Sequence, residues 1–161
     1  MPEPKFVTSL QELMSIEQVH SMSGLEFLQG IVEGKHPAPP MAKALNFHLH
    51  AIERGIARFR GVPVFDYCNP LGTVHGGWYG TILDSAMACA IQTMLDKGAV
   101  YTTLEYKINI TRSIPLGTEV ECTGTVQHFG RKTGVSEGRI VGIKDGKTYA
   151  TGSTTCIILT S

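Results

Sequence analysis

The chain has 161 residues, 42% of them hydrophobic, and its 14 basic residues balance its 14 acidic residues, so the formal net charge is zero. This length suits one globular domain with a core of its own, and without a basic excess the chain is not expected to bind nucleic acid. Near-zero net charge weakens colloidal repulsion and is compatible with an oligomer.

The cysteines and the beginning of the chain indicate the compartment. The four cysteines, at positions 68, 89, 122 and 156, form no CxxC or CxH pattern. In a chain of this length we expect them to be reduced core residues, not a disulfide framework or a zinc site. The opening sequence MPEPKFVTSLQELM lacks a basic region followed by an apolar run, so no signal peptide is expected, and no apolar stretch is long enough to cross a membrane. The expected location is the cytoplasm.

The first part of the chain predicts short helices and a connector. Apolar residues between Thr8 and Val32 have helical spacing, and Gly24 is expected to separate two short helices. The prolines of residues 34–40 predict a stiff, extended connector. Residues 1–40 are therefore predicted to be an N-terminal helical extension of a single domain that spans residues 1–161.

The rest of the chain predicts strands around one helix. A strand is predicted over Leu45–Phe59, with a candidate bulge at Gly55, and a short return strand over Val62–Tyr67. After the central helix, four further strands are expected to form a meander: Thr102–Ile110, Val120–Phe129, Val135–Ile143 and Thr148–Leu159. The pair Asp145-Gly146 is a strong hairpin signal. Because strands and helices are mostly segregated, the predicted class is α+β with an antiparallel sheet.

The central helix is predicted over Gly76–Leu95 and is apolar on nearly all sides, which is typical of a buried helix. Its one formally charged residue is Asp84. An isolated buried carboxylate is costly unless it is paired, hydrogen-bonded or protonated. The face around it carries small residues, Gly77, Gly80 and Ala88, which leave space for a ligand or a second backbone. Asp84 is therefore either a structural hydrogen-bond acceptor or a functional acid.

The segment GTVHGG, residues 72–77, contains three glycines beside the start of that helix. Glycines permit close backbone approach, and the first amides of a helix have no partner within the helix, so this segment could hold an oxyanion. The alternative is a tight turn that His75 caps.

The longer segment NPLGTVHGGWYGTILD resembles the signature of hotdog-fold acyl-CoA thioesterases of the phenylacetate-pathway (PaaI-like) branch. The Asn, the His and the helical acid of that signature fall here on Asn69, His75 and Asp84. Similarity continues through TTLEYKINITRSIPLGTEV and HFGRKTGVSEGRI, and SGLEFLQGIVEGKHPAPPMAKALNF is similar to the first segment of one subgroup. The resemblance implies a curved antiparallel sheet wrapped around one long helix, and homodimers with shared active sites that pair into homotetramers.

The resemblance also implies roles for individual residues in hydrolysis of an acyl-CoA. The backbone N–H of Gly76 would hold the oxyanion, and Asp84 would act as general base or as a nucleophile that forms an anhydride. Asn69 would position water or the carbonyl, Thr103 would assist the water, and His75 would shape the loop. Simple alternation nevertheless puts Thr103 on the strand face opposite Leu104.

Further residues are candidates for binding the substrate. The resemblance places Gly77, Arg112, Arg131 and Lys132 near coenzyme A, although the three cations could equally be solvated turn charges. Ser113 stands where the family usually has a proline, which departs from the expected loop geometry. The sequence does not identify the acyl group, and four large side chains could line a tunnel for an aryl or a medium aliphatic chain: Phe65, Trp78, Tyr79 and Met87.

Other functions remain as alternatives. His48 and His50 share a strand face, but two histidines without a third ligand are a weak metal signal, and no metal or cofactor is expected. No Walker-type or dinucleotide loop and no GxSxG elbow is present in the sequence. A hotdog acyl-thioester hydratase, a non-catalytic acyl-CoA-binding or regulatory module, and a carrier protein in place of coenzyme A stay open.

Overall fold

The computed structural model describes residues 4–160, so the predictions for residues 1–3 and 161 lie outside the described part. It confirms the α+β class, with short helices, one long helix and an antiparallel sheet. The helices are α1 (Ile16–His20), α2 (Gly24–Val32), α3 (Pro40–Ala44) and α4 (Gly76–Gln92). The strands are β1 (Phe47–Glu53), β2 (Ile56–Gly61), β3 (Ala99–Ile110), β4 (Val120–Phe129), β5 (Thr133–Gly142) and β6 (Thr148–Thr160).

The six strands form one sheet in the order β1-β2-β4-β5-β6-β3. The predicted four-strand meander is therefore wrong: β4, β5 and β6 follow one another, but β3 pairs with β6 at the far edge. Alternation identifies which residues form strands but not which strands are neighbours. The place of β3 is set by tertiary contacts, because it packs along α4 at that edge of the sheet.

The first pair of strands also differs from the prediction. A single strand over Leu45–Phe59 is wrong, because the chain turns at Gly55, whose φ of +80° is a conformation that glycine adopts without strain. Strand β2 therefore takes the place of the predicted return strand. The segment Val62–Tyr67, which was predicted to be that strand, contains a 3₁₀ turn at Phe65–Tyr67. The glycine marks a hairpin turn, not a bulge.

The N-terminal extension contains the two helices expected on either side of a break, α1 and α2. Helix α2 begins at Gly24 behind a capping box, in which Ser23 Oγ accepts from the Glu26 N–H and Glu26 Oε2 accepts from the Ser23 N–H. Helix α3 was not predicted. It begins at the last proline of the connector, Pro40, since proline is tolerated in the first turn of a helix, where no N–H partner is needed.

Helix α4 is the predicted buried helix, and the sheet wraps around it. Ile82, Leu83, Met87 and Ile91 have no exposed surface, and an added Cβ at Gly124 of β4 would overlap the backbone of α4. One stripe of α4 is not covered by the sheet and carries only small or polar residues. This open stripe consists of Gly77, Thr81, Asp84, Ser85, Cys89 and Gln92.

Candidate active site

Asp84 lies in the middle of the open stripe and is half-buried. Its Oδ1 accepts a hydrogen bond from Thr103 Oγ1 at 3.0 Å. Burial raises the pKa of the Asp84 carboxyl above its ordinary value of 3.8, and the hydrogen bond from Thr103 acts in the opposite direction. The structure thus brings together two of the residues that the sequence proposes as catalytic. We call this pair the acid half-site.

Thr103 reaches Asp84 because a β-bulge follows it in β3. The extra residue reverses the alternation, so that Thr103 shares a face with Tyr106 and Ile110 farther along the strand. Tyr106 Oη lies 3.2 Å from a Cβ built on Gly80, and Ile110 Cδ1 lies 3.5 Å from one built on Gly76. Strand β3 therefore runs alongside the open stripe, from Asp84 at one end to the start of α4 at the other.

Two hollows meet at the acid half-site. The outer groove, of about 500 Å³, is lined by α1, α2 and the first residues of β3. The apolar cavity, of about 350 Å³, lies between the N-terminal extension, α4 and the sheet. The residues that line both are Phe27, Asp84, Gln92, Tyr101 and Thr103. A molecule that occupies both hollows would place the group at their junction against the Asp84 carboxylate.

Asn69 closes the loop that leads into α4. Its Oδ1 accepts from the N–H groups of Leu71 and Thr73 at 2.9 and 3.2 Å, and its Nδ2 donates to Thr73 Oγ1 at 2.9 Å. The side chain is therefore fully engaged with its own loop. It holds the shape of the segment before α4, and its hydrogen bonds do not involve the Asp84–Thr103 pair.

His75 is the N-cap of α4, and its Nδ1 accepts from the Gly77 N–H at 2.9 Å. Within residues 4–160 the N–H of Gly76 makes no hydrogen bond. This N–H lies at the positive end of a long helix, where an anionic oxygen is favoured. The helix cap and the candidate oxyanion donor are therefore different groups: His75 Nδ1 accepts from the Gly77 N–H, and the Gly76 N–H stays available. We call Gly76 with its cap the amide half-site.

The two half-sites are too far apart to act on one carbonyl within a protomer. Gly76 and Asp84 are eight residues apart on the same helix, which is about 12 Å along the axis. A donor has to lie about 2.7–3.1 Å from the oxyanion that it stabilises. The Asp84 carboxylate and the Gly76 N–H of one copy therefore cannot both contact the same reacting carbonyl.

The predicted coenzyme A cations are also divided between two ends of the molecule. Arg112 follows β3 near the start of α4, whereas Arg131 and Lys132 lie in the turn between β4 and β5. The Lys132 carbonyl accepts from the Ile158 N–H at 2.8 Å, and Ile158 pairs with Tyr101 at the other end of β3. All three cations are exposed, and one protomer does not bring Arg112 together with the other two.

The predicted acyl tunnel is wrong. Trp78, Tyr79 and Met87 are buried in the core at 2%, 1% and 0% exposure, and Phe65 is 77% exposed. None of the four lines the apolar cavity. The Trp78 indole N–H donates to the Leu45 carbonyl at 2.9 Å, which fixes this side chain within the core. On a helix that is apolar all round, the sequence does not tell which large residues face the sheet.

The residues that do line the cavity beside Asp84 were missed. Phe27, Tyr101 and Gln92 border both hollows, and the remaining wall comes largely from the N-terminal extension. The helical spacing of apolar residues in the extension was visible in the sequence. It indicated that this face is buried, but nothing in the sequence indicated which surface it packs against.

The outer edge of β3 is open. Within residues 4–160, β3 pairs with β6 on one side only. Three apolar side chains at this edge are exposed, Leu104 at 58%, Tyr106 at 47% and Ile110 at 46%. A long edge strand with exposed apolar side chains is a template for pairing with another strand.

The histidine pair does not gain a third ligand. His48 and His50 lie with ring centroids 6.2 Å apart, edge to face, and burial lowers the pKa of both. In the described residues, no three His, Cys, Asp or Glu side chains are grouped so that they could hold a metal ion. Over the same residues, no helix is both long enough and apolar enough to cross a membrane.

A curved antiparallel sheet around one helix, with a half-buried acid on the helix's open stripe, defines a hotdog-fold protein of the acyl-thioester hydrolase class. The thioesterase superfamily model matches residues 71–149, which include all of α4 and β3. This match and the solved structures named as phenylacetic acid degradation proteins support a hotdog-fold thioesterase of the PaaI-like branch. Among curated proteins, none matches the sequence significantly.

Solved structures agree with this assignment. A phenylacetic acid degradation-related protein from Ralstonia eutropha is 26% identical, with a TM-score of 0.74 over 81% of this chain and 98% of its own. The phenylacetic acid degradation protein PaaI from Thermus thermophilus is 26% identical, with a TM-score of 0.67 over 73% of this chain and 97% of its own. A thioesterase-type protein from Streptococcus pneumoniae, determined with coenzyme A, shares the fold at 22% identity, with a TM-score of 0.65 over 72% of this chain and 88% of its own.

Proposed function

We propose that the protein hydrolyses an acyl-CoA thioester to a free acid and coenzyme A, in a dimer whose active sites are shared between protomers. The single observation that carries the proposal is the acid half-site. Asp84 is a carboxyl of raised pKa, oriented by Thr103, at the junction of an open groove and an apolar cavity. A thioester has the matching shape, with an apolar acyl group on one side of the reacting carbonyl and a long polar thiol on the other.

The open edge of β3 supports the shared site. Thr103 contacts Asp84, and Ile110 lies beside Gly76 on the same face of β3. If two copies pair antiparallel through β3, the Thr103 end of one strand lies beside the Ile110 end of the partner's strand. This pairing would bring Asp84 toward the partner's Gly76 and would cover the exposed apolar side chains of the edge. Two incomplete half-sites then form two complete sites.

The chemistry follows from these positions. Asp84 takes a proton from water, the oxygen of that water attacks the thioester carbonyl carbon, and the partner's Gly76 N–H stabilises the oxyanion. The C–S bond then breaks, and the thiolate takes up the proton from Asp84. In the alternative route Asp84 attacks directly, and water hydrolyses the resulting anhydride. Single-turnover hydrolysis in H₂¹⁸O tests for the anhydride route, because ¹⁸O enters the Asp84 carboxyl only when water attacks the Asp84 carbonyl carbon of an anhydride.

The same pairing supports binding of coenzyme A. Antiparallel β3 strands bring the partner's Arg112 toward the end of the sheet where Arg131 and Lys132 lie. Cations from two protomers would then face the thiol side of the thioester, where the phosphates of coenzyme A need positive charge. Coenzyme A is therefore the proposed carrier, and a carrier protein is the outcome to be distinguished by the substrate panel.

Two measurements test the proposal. The first is thiol release from a panel of alkanoyl- and aryl-CoA substrates by the wild-type protein, and we expect turnover of at least one class. The second is the molar mass in solution, which we expect to be that of a dimer or a tetramer. A monomer would contradict the shared site. Tight acyl-CoA binding without thiol release would overturn hydrolysis in favour of a binding module, and consumption of an enoyl-CoA without thiol release would favour a hydratase.

A further inference from the structure

We infer that the N-terminal extension is the specificity wall of this enzyme, and that the apolar cavity behind Asp84 takes an uncharged hydrocarbon acyl group of roughly six to ten carbons. This inference rests on the proposed function and adds the substrate class to it. Eight of the eighteen residues that line the cavity precede β1 in the chain. Six of these eight residues belong to the extension (residues 1–40), and the other two, Met41 and Ala42, belong to α3 directly after it, so these segments determine how deep the cavity is.

The side chains that line the apolar cavity disfavour a charged acyl group. Among the described residues that line the cavity, Asp84 is the one that carries a charge, and it lies where the cavity meets the outer groove. A dicarboxylic acyl group would bring a second carboxylate into an apolar space that already faces Asp84, and no cation lines the cavity to pair with it. Phe27, Phe47 and Phe59 instead offer apolar surface to a hydrocarbon.

The volume limits the size. A water molecule occupies about 30 Å³ in the liquid, so a cavity of about 350 Å³ holds roughly a dozen groups of that size, and a methylene is comparable. An acetyl group would leave most of the cavity unfilled. A long fatty acyl chain would exceed this volume, and Pro37 and Pro39 of the connector form part of the wall.

Hydrogen bonds and close packing hold the N-terminal extension in place. The Gly24 N–H donates to the Leu95 carbonyl at 3.0 Å, and an added Cβ at Gly24 would overlap the Gln92 carbonyl, so α2 is seated on the end of α4. The connector is tied back to α2 by His36, whose Nδ1 lies 3.0 Å from the Phe27 carbonyl and whose ring stacks on Phe27. The Ala38 N–H donates to the Lys5 carbonyl at 2.7 Å.

The test changes the depth of the cavity by single substitutions in α2 and α3. Ala42 is 3% exposed and lines the cavity, so Ala42→Leu shortens it, whereas Ile31→Ala deepens it. The matched control is Gln29→Ala, on the exposed side of α2. We measure kcat/KM for acetyl-, butyryl-, hexanoyl-, octanoyl-, decanoyl- and succinyl-CoA. Each methylene that no longer fits costs about fourfold.

We expect wild type to prefer the C6 to C10 substrates and to discriminate against acetyl- and succinyl-CoA. Ala42→Leu should lose roughly tenfold or more on octanoyl-CoA with butyryl-CoA unchanged, and Ile31→Ala should shift the preference to longer chains. Gln29→Ala should match wild type. If both cavity variants change all chain lengths alike, or if succinyl-CoA is the best substrate, the inference is overturned.

Binding of 1-alkanols from C4 to C10, measured by titration calorimetry, separates this inference from the proposed function. If alkanols bind with affinity that rises with length and Ala42→Leu abolishes the rise, the cavity holds hydrocarbon even when no thioester is hydrolysed. Thioesters could be hydrolysed while no alkanol binds and the cavity variants do not change the chain-length preference. That result would support hydrolysis and would overturn the inference about the specificity wall.

Discussion

The two ends of the open stripe on α4 differ in how their polar groups are satisfied. At the acid half-site, one half-buried carboxylate is held by a hydroxyl from a neighbouring strand, and burial raises its pKa. At the amide half-site, Asn69 and His75 accept from N–H groups of the loop and the helix start, and within residues 4–160 the Gly76 N–H makes no hydrogen bond. The fold therefore holds a carboxylate and a backbone donor about 12 Å apart along α4, and under the proposed function a second copy joins them.

The largest expected effect comes from removing the acid. Asp84→Asn should lower kcat for thiol release by roughly 10²–10⁴-fold, because a positioned general base contributes about that much. Its amide oxygen can still accept from Thr103, so the variant should remain folded and dimeric by circular dichroism and molar mass. A folded variant with wild-type turnover would make Asp84 a structural residue.

Removing the donor at the other end should have a somewhat smaller effect. Gly76→Pro deletes the free N–H at the first helical position, where proline is tolerated, and should lower kcat by roughly 10²–10³-fold. The matched control is Gly76→Ala, which keeps the N–H and adds a Cβ at ordinary contact distance from Ile110. Equal losses in the proline and alanine variants would show that bulk, not the donor, is responsible.

Removal of the Thr103 hydroxyl at the acid half-site should lower turnover by an intermediate amount and should change the pH profile of kcat/KM. Thr103→Val should slow turnover by roughly ten- to a hundredfold, since a hydrogen bond to a charged group is lost. The hydrogen bond lowers the Asp84 pKa, so its removal raises that pKa. In wild type, kcat/KM should fall as pH falls through the raised pKa of Asp84, and in Thr103→Val this fall should occur at higher pH. Thr103→Ser should restore the wild-type profile, and an unshifted profile in the valine variant would contradict the assignment.

The smallest expected effect is on stability. A carboxyl whose pKa is raised by folding destabilises the folded state once it is ionised, and this penalty is absent below the ordinary pKa of 3.8. Asp84→Asn should therefore raise the melting temperature at neutral pH, and the difference from wild type should vanish as pH falls below that value. Solvent screens a half-exposed group, so a rise of no more than about 2–4 °C is expected, equivalent to roughly 1 kcal/mol. A lower melting temperature at neutral pH would mean that the charge stabilises the fold.

The comparison of the two half-sites also shows what the sequence predicts and what it does not. Helix α4 and its lone acid were predictable, because an apolar helix with one carboxylate and a glycine-rich start is a local pattern. Thr103 was predictable only through resemblance, since a bulge in β3 reverses the alternation that a period of two assumes. The place of β3 in the sheet and the wall of the apolar cavity depend on contacts between distant segments, which no local pattern records.

The central claim is that each active site joins Asp84 of one protomer to the partner's Gly76. It is tested most directly by mixing Asp84→Asn and Gly76→Pro protomers with different affinity tags, purifying the mixed dimer, and measuring thiol release beside the two parental dimers. In the mixed dimer a shared arrangement places both substitutions in one site and leaves the other site intact, so about half of the wild-type rate per dimer should return. A mixed dimer as inactive as both parents would contradict the claim, because each protomer would then have been carrying its own complete site.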